Sequence, residues 1–347
     1  MTTPAAKRPI VAVKNLVKHF DMRRSWFQRE VLSVHAVDGV SFEIAAGSTL
    51  ALVGESGCGK STTAKLILQL EQPDSGEIFL DGESITGPTP EPRQNVQMVF
   101  QDPYASLTPH FRVESILREP LVVHRICPRR EMRIRIASAL EAVGLPQDVM
   151  SRYPHELSGG QRQRVGIARA ISIEPKLIVC DEPVSALDVS IRSQIINLLL
   201  DLQQARNLAF LFISHDLDLV SHVSDSVAVM YLGKIVEHGP TEAFFAAPKH
   251  PYSRALLDSS LAPDPHQRIK SAPLQGEIAS PTDLPSGCRF RPRCPFAVDK
   301  CAEVEPPLRA AGAAHLSACH RTEELAHLPE ALSQNGAAAV TNEGTGA

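Results

Sequence analysis

Gly54-Glu55-Ser56-Gly57-Cys58-Gly59-Lys60-Ser61 fits the spacing G-x-x-x-x-G-K-[ST] at every fixed position, which is the chemistry of a phosphate cradle. The glycines let the backbone curl so that successive N–H groups face phosphate oxygens. Lys60 adds a cation for the β- and γ-phosphates, Ser61 offers a hydroxyl to Mg²⁺, and Thr62 follows at the helix start. Such a cradle needs a second acid on the metal side, and Leu177-Ile-Val-Cys-Asp181-Glu182 places two carboxylates at the end of an apolar strand. Asp181 is suited to the Mg²⁺ shell, and Glu182 to polarising an attacking water as a general base or an orienting group. Cys58 and Cys180, inside these two motifs, read as packing residues.

The mechanism requires a strand before the cradle and a helix after it. Ser48 to Val53 reads as a short buried strand, and Ala64, Ile67 and Leu68 recur at helical spacing. The first 85 residues are β-rich, with Val34, Val40, Phe42 and Ile44 in a mostly alternating segment and Glu77 to Leu80 running into an Asp81-Gly82 turn. From about Val113 to Gly144 the pattern is helical and polar, the mark of an inserted helical subdomain. Leu177 to Val179 and Leu208 to Ile213 are strands on either side of an amphipathic helix around Ile191 to Leu202, the alternation of a parallel α/β sheet. Val227 to Tyr231 and Lys234 to Val236 form a hairpin across Gly233.

Composition narrows the class. With 347 residues at about 100–200 per domain, two or three domains are expected. Hydrophobic residues at 43% and charged residues at 21% exclude disorder, collagen and coiled coil as the dominant state. A net charge of −4 leaves no global basic field for nucleic acid. The longest clean apolar run, Leu208 to Ile213, falls far short of the about 18 residues of a membrane span, and Met1 to Pro9 lacks a secretory apolar centre, which points to the cytosol. Nine of the 27 prolines lie between Pro263 and Pro307, so that segment is expected to be ordered by something other than regular helix or strand. There is no internal repeat.

At Leu157-Ser158-Gly159-Gly160-Gln161, followed at once by Arg162-Gln-Arg-Val-Gly-Ile-Ala-Arg169-Ala170 and then by the Asp181 strand, the chain resembles the ATP-binding cassette (ABC) family. Physically, Ser158 and the following glycine backbone at a helix start form a second anion site. The resemblance implies that it closes over the γ-phosphate held by a partner's cradle, so that two cassettes sandwich two nucleotides. It also gives Gln101 the role of the Q-loop, touching Mg²⁺ or water and sensing the transporter; Ser185 to Asp188 that of the D-loop; His215 that of the switch histidine; and Phe20 that of the aromatic stacked on adenine. Trp26 and Phe27 lie in the insertion that follows Phe20. The implied fold is α/β: a P-loop NTPase cassette with a RecA-like parallel core, an antiparallel β subdomain and the inserted helical subdomain, plus a small Pro/Cys-rich C-terminal domain.

Within the family, the sequence is most similar to ATPase subunits of bacterial oligopeptide and dipeptide importers, in particular the second of their two paired ATPases. Ala36 to Phe42, Gln101-Asp-Pro-Tyr-Ala-Ser-Leu107, His250-Pro-Tyr-Ser-Arg-Ala-Leu256 and Gly287-Cys-Arg-Phe-Arg-Pro-Arg-Cys-Pro-Phe296 carry this likeness, which spans Val11 to His320. Thr108 departs from the asparagine expected after Leu107.

Cys288, Cys294, Cys301 and Cys319 crowd into one stretch with spacing C-x5-C-x6-C-x17-C, which matches neither a zinc-ribbon nor a bacterial ferredoxin pattern. The resemblance to peptide-importer ATPases implies a [4Fe–4S] cluster here, which four thiolates suit. Arg289, Arg291 and Arg293 interleave with the first two cysteines and offset thiolate charge. Two other readings stay open: reduced, packed cysteines, and zinc with His315 or His320 replacing a thiolate.

The resulting expectation is an ATP- and Mg²⁺-dependent motor peripheral to the cytoplasmic face of the inner membrane. It is paired with a second ABC ATPase as a heterodimer, two transmembrane permease subunits and an extracytoplasmic substrate-binding protein, with no nucleic acid. Its segments are a flexible N-terminus (1–9), the cassette (10–247, helical subdomain about 102–172), the C-terminal domain (248–322) and a disordered tail (323–347). The rival is a soluble cassette ATPase acting on DNA or ribosomes; against it, only 96 positions separate Ser61 from Leu157, where chromosome-type relatives place a long coiled coil, and the chain has one cassette where ribosomal relatives usually have two. A non-peptide cargo such as nickel or opines is a further alternative.

Overall fold

The computed structural model describes residues 9–23, 31–87, 92–260 and 280–326. Of the expected flexible start (1–9), Pro9 already belongs to a strand and the rest lies outside the described residues, as do Trp26 and Phe27. Of the expected disordered tail (323–347), residues 323–326 are instead part of the helix Thr322–Ala326, and the rest lies outside the described residues.

Twelve described strands form two sheets. The first is antiparallel, ordered β2-β1-β4-β5, where β1 is Pro9–Arg23, β2 Val31–Ala45, β4 Ser75–Leu80 and β5 Glu83–Ser84. The second is ordered β11-β12-β10-β9-β3-β8-β7-β6. Its strands are β3 (Thr49–Val53), β6 (Val96–Val99), β7 (Leu177–Asp181), β8 (Ala209–Ile213), β9 (Ser226–Tyr231), β10 (Lys234–Pro240), β11 (Arg309–Gly312) and β12 (His315–Ser317). From β9 through β3, β8 and β7 to β6 every pairing is parallel. Every residue of β3 and β8 is buried, which is why both read as unbroken apolar runs rather than as alternation. The β9–β10 hairpin pairs Lys234 with Tyr231 as the sequence predicts.

The helical insertion is built from Val113–Val123, Arg129–Ala142 and Gly159–Ile171. Ile116, Leu117, Ile136, Leu140 and Val165 share one core with Phe210 and Phe212 of β8, so the insertion packs onto one face of the parallel sheet. Polar staples fix it: Arg169 Nη1 donates to Ser106 O (2.6 Å) and Arg135 Nε to Ser172 O (2.7 Å).

The C-terminal region continues the cassette's sheet. After β10 the chain makes helices Thr241–Ala246 and Pro251–Ser260, the second opening on the proline that suits a first helical position. Between 280 and 308 the described backbone holds only the 3-10 turn Arg291–Arg293 and the short helix Lys300–Glu303, the irregular order that the prolines imply. Then β12 pairs with β10, Glu237 opposite Ser317. Tyr252 and Phe290 are buried in the same cluster as Val53, Val229 and Tyr231, one core common to cassette and tail.

Glu237, fully buried in β10, holds this junction. Its carboxylate accepts the N–H groups of Lys249 and His250 (both 2.7 Å) and the His315 Nε2 proton (2.7 Å). Burial lowers the His250 pKa to about 4, so the ring stays neutral and its Nδ1 accepts the Tyr252 N–H at 3.1 Å. Glu237→Gln points an amide N–H₂ at groups that already donate. It is expected to cost about 3–5 kcal/mol in denaturant unfolding, and a loss below about 1 kcal/mol contradicts the junction. His250 contributes its full stability above the ordinary imidazole value of 6.5. That contribution declines as the pH falls towards about 4, because the unfolded chain takes up the proton first. His250→Asn should therefore flatten the loss of stability between pH 6.5 and 4; an unchanged slope contradicts a buried neutral ring.

Candidate nucleotide site

The loop 54–59 leaves β3 and enters the helix Lys60–Ile67. Two of its glycines are dictated by close approach: a Cβ on Gly54 would stand 2.2 Å from Met230 O, and on Gly59 2.0 Å from Ala36 O, both at positive φ. Gly57 has nothing within 4 Å and lines the open cleft. Lys60 is buried, and its Nζ donates to Gly54 O (2.7 Å) and Glu55 O (2.9 Å), a cation parked on its own cradle. The Cys58 thiol is buried 3.7 Å from Lys60 Nζ, and burial pushes its pKa up, so it packs beneath the loop as the sequence suggests. Cys180 is likewise wholly buried.

The parallel register brings the other two motifs alongside. Leu52 of β3 and Asp181 of β7 both pair with Ile213 of β8, so Gly54, Glu182 and His215 leave the sheet at the same, carboxyl, end. Asp181 accepts the Ser61 hydroxyl proton. Burial raises its pKa and the adjacent Glu182 charge adds to this, while Ser61 and Lys60 act in the opposite direction. Glu182 sits at φ 48°, a conformation disfavoured for a non-glycine residue, with its N–H donating to Ile213 O at 3.0 Å. Its two carboxylate oxygens are taken separately: Oε2 accepts from Gln101 Nε2 (2.9 Å) and Oε1 from His215 Nδ1 (2.8 Å). The three residues chosen from sequence as catalytic are thus one hydrogen-bonded cluster.

They open onto a cleft of about 540 Å³ lined by Phe20, Val34, Ala36, Ser56, Gly57, Gly59, Lys60, Ser61, Thr62, Gln101, Asp181, Glu182, Ile213 and His215. Phe20 is partly exposed at the cleft wall, with Lys18 Nζ 5.4 Å from its ring centroid. Gly54, Glu55 and Cys58 shape the loop from behind and do not line the cleft.

Ser158, Gly159, Gly160, Gln161 and Asp188 are not brought to this cleft either. Ser158 caps the helix Gly159–Ile171: its hydroxyl accepts the Gln161 N–H (3.3 Å) while Gln161 Oε1 accepts the Ser158 N–H (3.0 Å). Gly160 passes so close to Ile191 that a Cβ would stand 2.8 Å from its Cγ2. Asp188 stands at the N-cap of Val189–Arg206 without a side-chain capping bond. Gln163, unremarked in the sequence reading, is 1% exposed and donates to Pro183 O at 2.7 Å, tying the Ser158 helix to the loop after Glu182. A polar side chain on the apolar face of that helix was the signal for it.

On the strand face opposite Phe20 and Val34, ligand atoms of His19, His35 and Asp38 lie within 4.8 Å of one another. Asp38 is already paired with Arg289, and Lys234 lies 3.8 Å away, so two cations balance its charge and the trio anchors the tail. Among the tail cysteines, Cys288 N–H donates to Cys301 O at 2.8 Å. Burial raises the pKa of Cys288, Cys294 (to about 12) and Cys319, and each feels the charge of others in the quartet. His315 and His320 are engaged elsewhere, with Glu237 and with Val304 O (2.8 Å).

With this geometry in hand, comparison with known proteins gives a consistent result. A family profile described as ABC transporter matches residues 37–185, and one described as oligopeptide/dipeptide transporter, C-terminal region, matches 236–301. The chain is 48% identical over 315 residues to the probable peptide ABC transporter ATP-binding protein y4tS of Sinorhizobium fredii, covering 90% of this chain and 89% of that protein. It is 46% identical to the oligopeptide transport ATP-binding protein AppF of Bacillus subtilis (92% and 99% covered) and 44% to the dipeptide transport ATP-binding protein DppF of Haemophilus influenzae (90% and 96%). Among solved structures, the dimeric post-hydrolysis cassette MJ0796 bound to ADP and Pi matches with TM-score 0.58 at 26% identity, covering 67% of this chain and 98% of that one. The cassette cbiO1 of Clostridium perfringens, part of the transporter complex cbiONQ, matches with TM-score 0.59 at 29% identity, covering 69% and 91%. The phosphate cradle, the Gln101–Glu182–His215 cluster and these likenesses agree: the chain belongs to the ABC transporter ATP-binding proteins, ATP-hydrolysing cassettes, in the branch that carries the oligopeptide/dipeptide transporter C-terminal region.

Proposed function

We propose that this chain is the ATP-hydrolysing subunit of an importer of oligopeptides or dipeptides, peripheral to the cytoplasmic face of the membrane. The observation that carries the reading is the complete hydrolytic cluster around Glu182 in a chain whose tail matches the oligopeptide/dipeptide transporter region. Lys60 and the N–H groups of residues 57–60 bind the polyphosphate, and Phe20 faces the adenine. Glu182, oriented on both oxygens, takes the proton of the attacking water, and His215 stands where the γ-phosphate ends. Ser61, Gln101 and Asp181 would hold Mg²⁺. Asp181, its carboxyl raised by burial and further by the adjacent Glu182 charge, accepts the Ser61 hydroxyl, and these hard oxygen donors at the cleft suit Mg²⁺. Mg²⁺ bound there supplies positive charge to the β- and γ-phosphate oxygens.

Because Ser158, Gly160 and Asp188 lie off the chain's own cleft, they are free to serve the cleft of a second cassette, and a heterodimer of two ATPases is our reading. In the segment that runs through Gln101, Phe100, Tyr104 and Phe111 are 39%, 52% and 50% exposed, aromatic side chains available to the permease pair. The peptide itself would reach those permeases from an extracytoplasmic binding protein. Among the described residues no helix is long and apolar enough to cross a membrane.

For the tail we propose a [4Fe–4S] group on Cys288, Cys294, Cys301 and Cys319. Backbone N–H groups of Phe290, Phe296 and Arg321 point at three of the sulfurs, and burial disfavours bare thiolates without a cationic partner. A zinc site would have to recruit His315 or His320 in place of a thiolate, and both are engaged, with Glu237 and with Val304 O. The group would cross-link four positions spread over a segment with little regular helix or strand.

Glu182→Gln should reduce steady-state phosphate release by about 10²-fold or more and leave MgATP-bound dimers on sizing. Turnover equal to that of the unmodified protein contradicts the role of Glu182. Anaerobically purified chain should contain iron and acid-labile sulfide at about four each. Zinc alone, or no metal and no sulfide, contradicts the tail assignment.

A further inference from the structure

Glu55 occupies a position of the phosphate loop at which the motif demands nothing, yet its contacts tie that loop to the C-terminal region. Its carboxylate accepts a two-pronged pair from Arg293, Nη1 to Oε2 at 2.7 Å and Nη2 to Oε1 at 2.9 Å. The Arg293 side chain is 5% exposed and that of Glu55 24%. The backbone N–H of Glu55 donates to the hydroxyl of Tyr252, itself fully buried, at 2.9 Å. Tyr252 packs against Tyr231 (4.6 Å between centroids) and Phe290 (5.4 Å), and Arg293 lies in the 3-10 turn between Cys288 and Cys294.

A carboxylate next to a site for several phosphate charges opposes binding unless it is neutralised, and the low exposure of this pair leaves little solvent to screen it. We propose that Arg293 is a positioning residue of the nucleotide site: it cancels the charge of Glu55 and, with Tyr252, fixes the peptide that begins the phosphate loop. The cysteine-bearing turn is thereby part of the ATP-binding apparatus. This rests on the reading that the loop binds ATP, which the unmodified protein tests in the same assay.

The experiment is equilibrium binding of MgATP to the full chain by titration calorimetry, with unfolding midpoints measured in parallel. Arg293→Met keeps the stem and removes the charge, and should weaken MgATP binding by about tenfold. Adding Glu55→Gln to that variant removes the stranded carboxylate and should restore affinity to within about threefold, a recovery that loss of packing alone cannot give. Unchanged affinity in Arg293→Met, or no recovery in the double variant, overturns the proposal. Should Arg293→Met fail to fold, Arg293→Lys decides: affinity within about threefold supports charge cancellation, and a tenfold loss overturns it. If the unmodified chain binds no MgATP, the nucleotide-site reading fails instead.

Discussion

The register of three adjacent parallel strands governs the site. Leu52 and Asp181 both stand opposite Ile213, so the cradle after β3, the acids ending β7 and the histidine after β8 emerge at one end of the sheet within reach of each other. A strand moved by one residue would turn its side chains to the other face and carry its catalytic group out of line. The buried faces of β3 and β8 hold the register, since both are packed by core on each side. The left-handed backbone at Glu182 is tolerated because Gln101, His215 and the Ile213 carbonyl constrain it together.

The same sheet explains the tail. A Pro-rich chain with few helices cannot bury much surface alone, and here it borrows the cassette's edge through β12 and the cassette's core through Tyr252 and Phe290. Buried polar links complete the join: Glu237 to His315, Arg289 to Asp38 and the Leu232 carbonyl, Arg293 to Glu55. The C-terminal region is therefore built against the back of the phosphate loop, while the front faces nucleotide.

What the sequence revealed follows from how local each signal is. The phosphate cradle, Asp181-Glu182 and the Ser158 run are contiguous, and their chemistry forces both residue types and spacing. The strands carrying them are continuous apolar runs, and the helical insertion repeats at 3.6. Arg293 and Glu55 stand 238 positions apart, and Tyr252 and Glu55 197, so no window on the chain joins them. The β11–β12 hairpin escaped notice because Arg309–Gly312 is short and rich in alanine and glycine, with no alternation to read. The helix Pro251–Ser260 lies just ahead of the Pro263 to Pro307 segment, and the proline at its first position costs it nothing.

We propose that hydrolysis at Glu182 is coupled to peptide delivered through membrane partners. Phosphate release by the intact, membrane-embedded assembly, measured with the binding protein empty and then peptide-loaded, tests this coupling. The loaded binding protein should accelerate MgATP hydrolysis several-fold. Equal rates with the empty and the loaded binding protein would contradict the coupling.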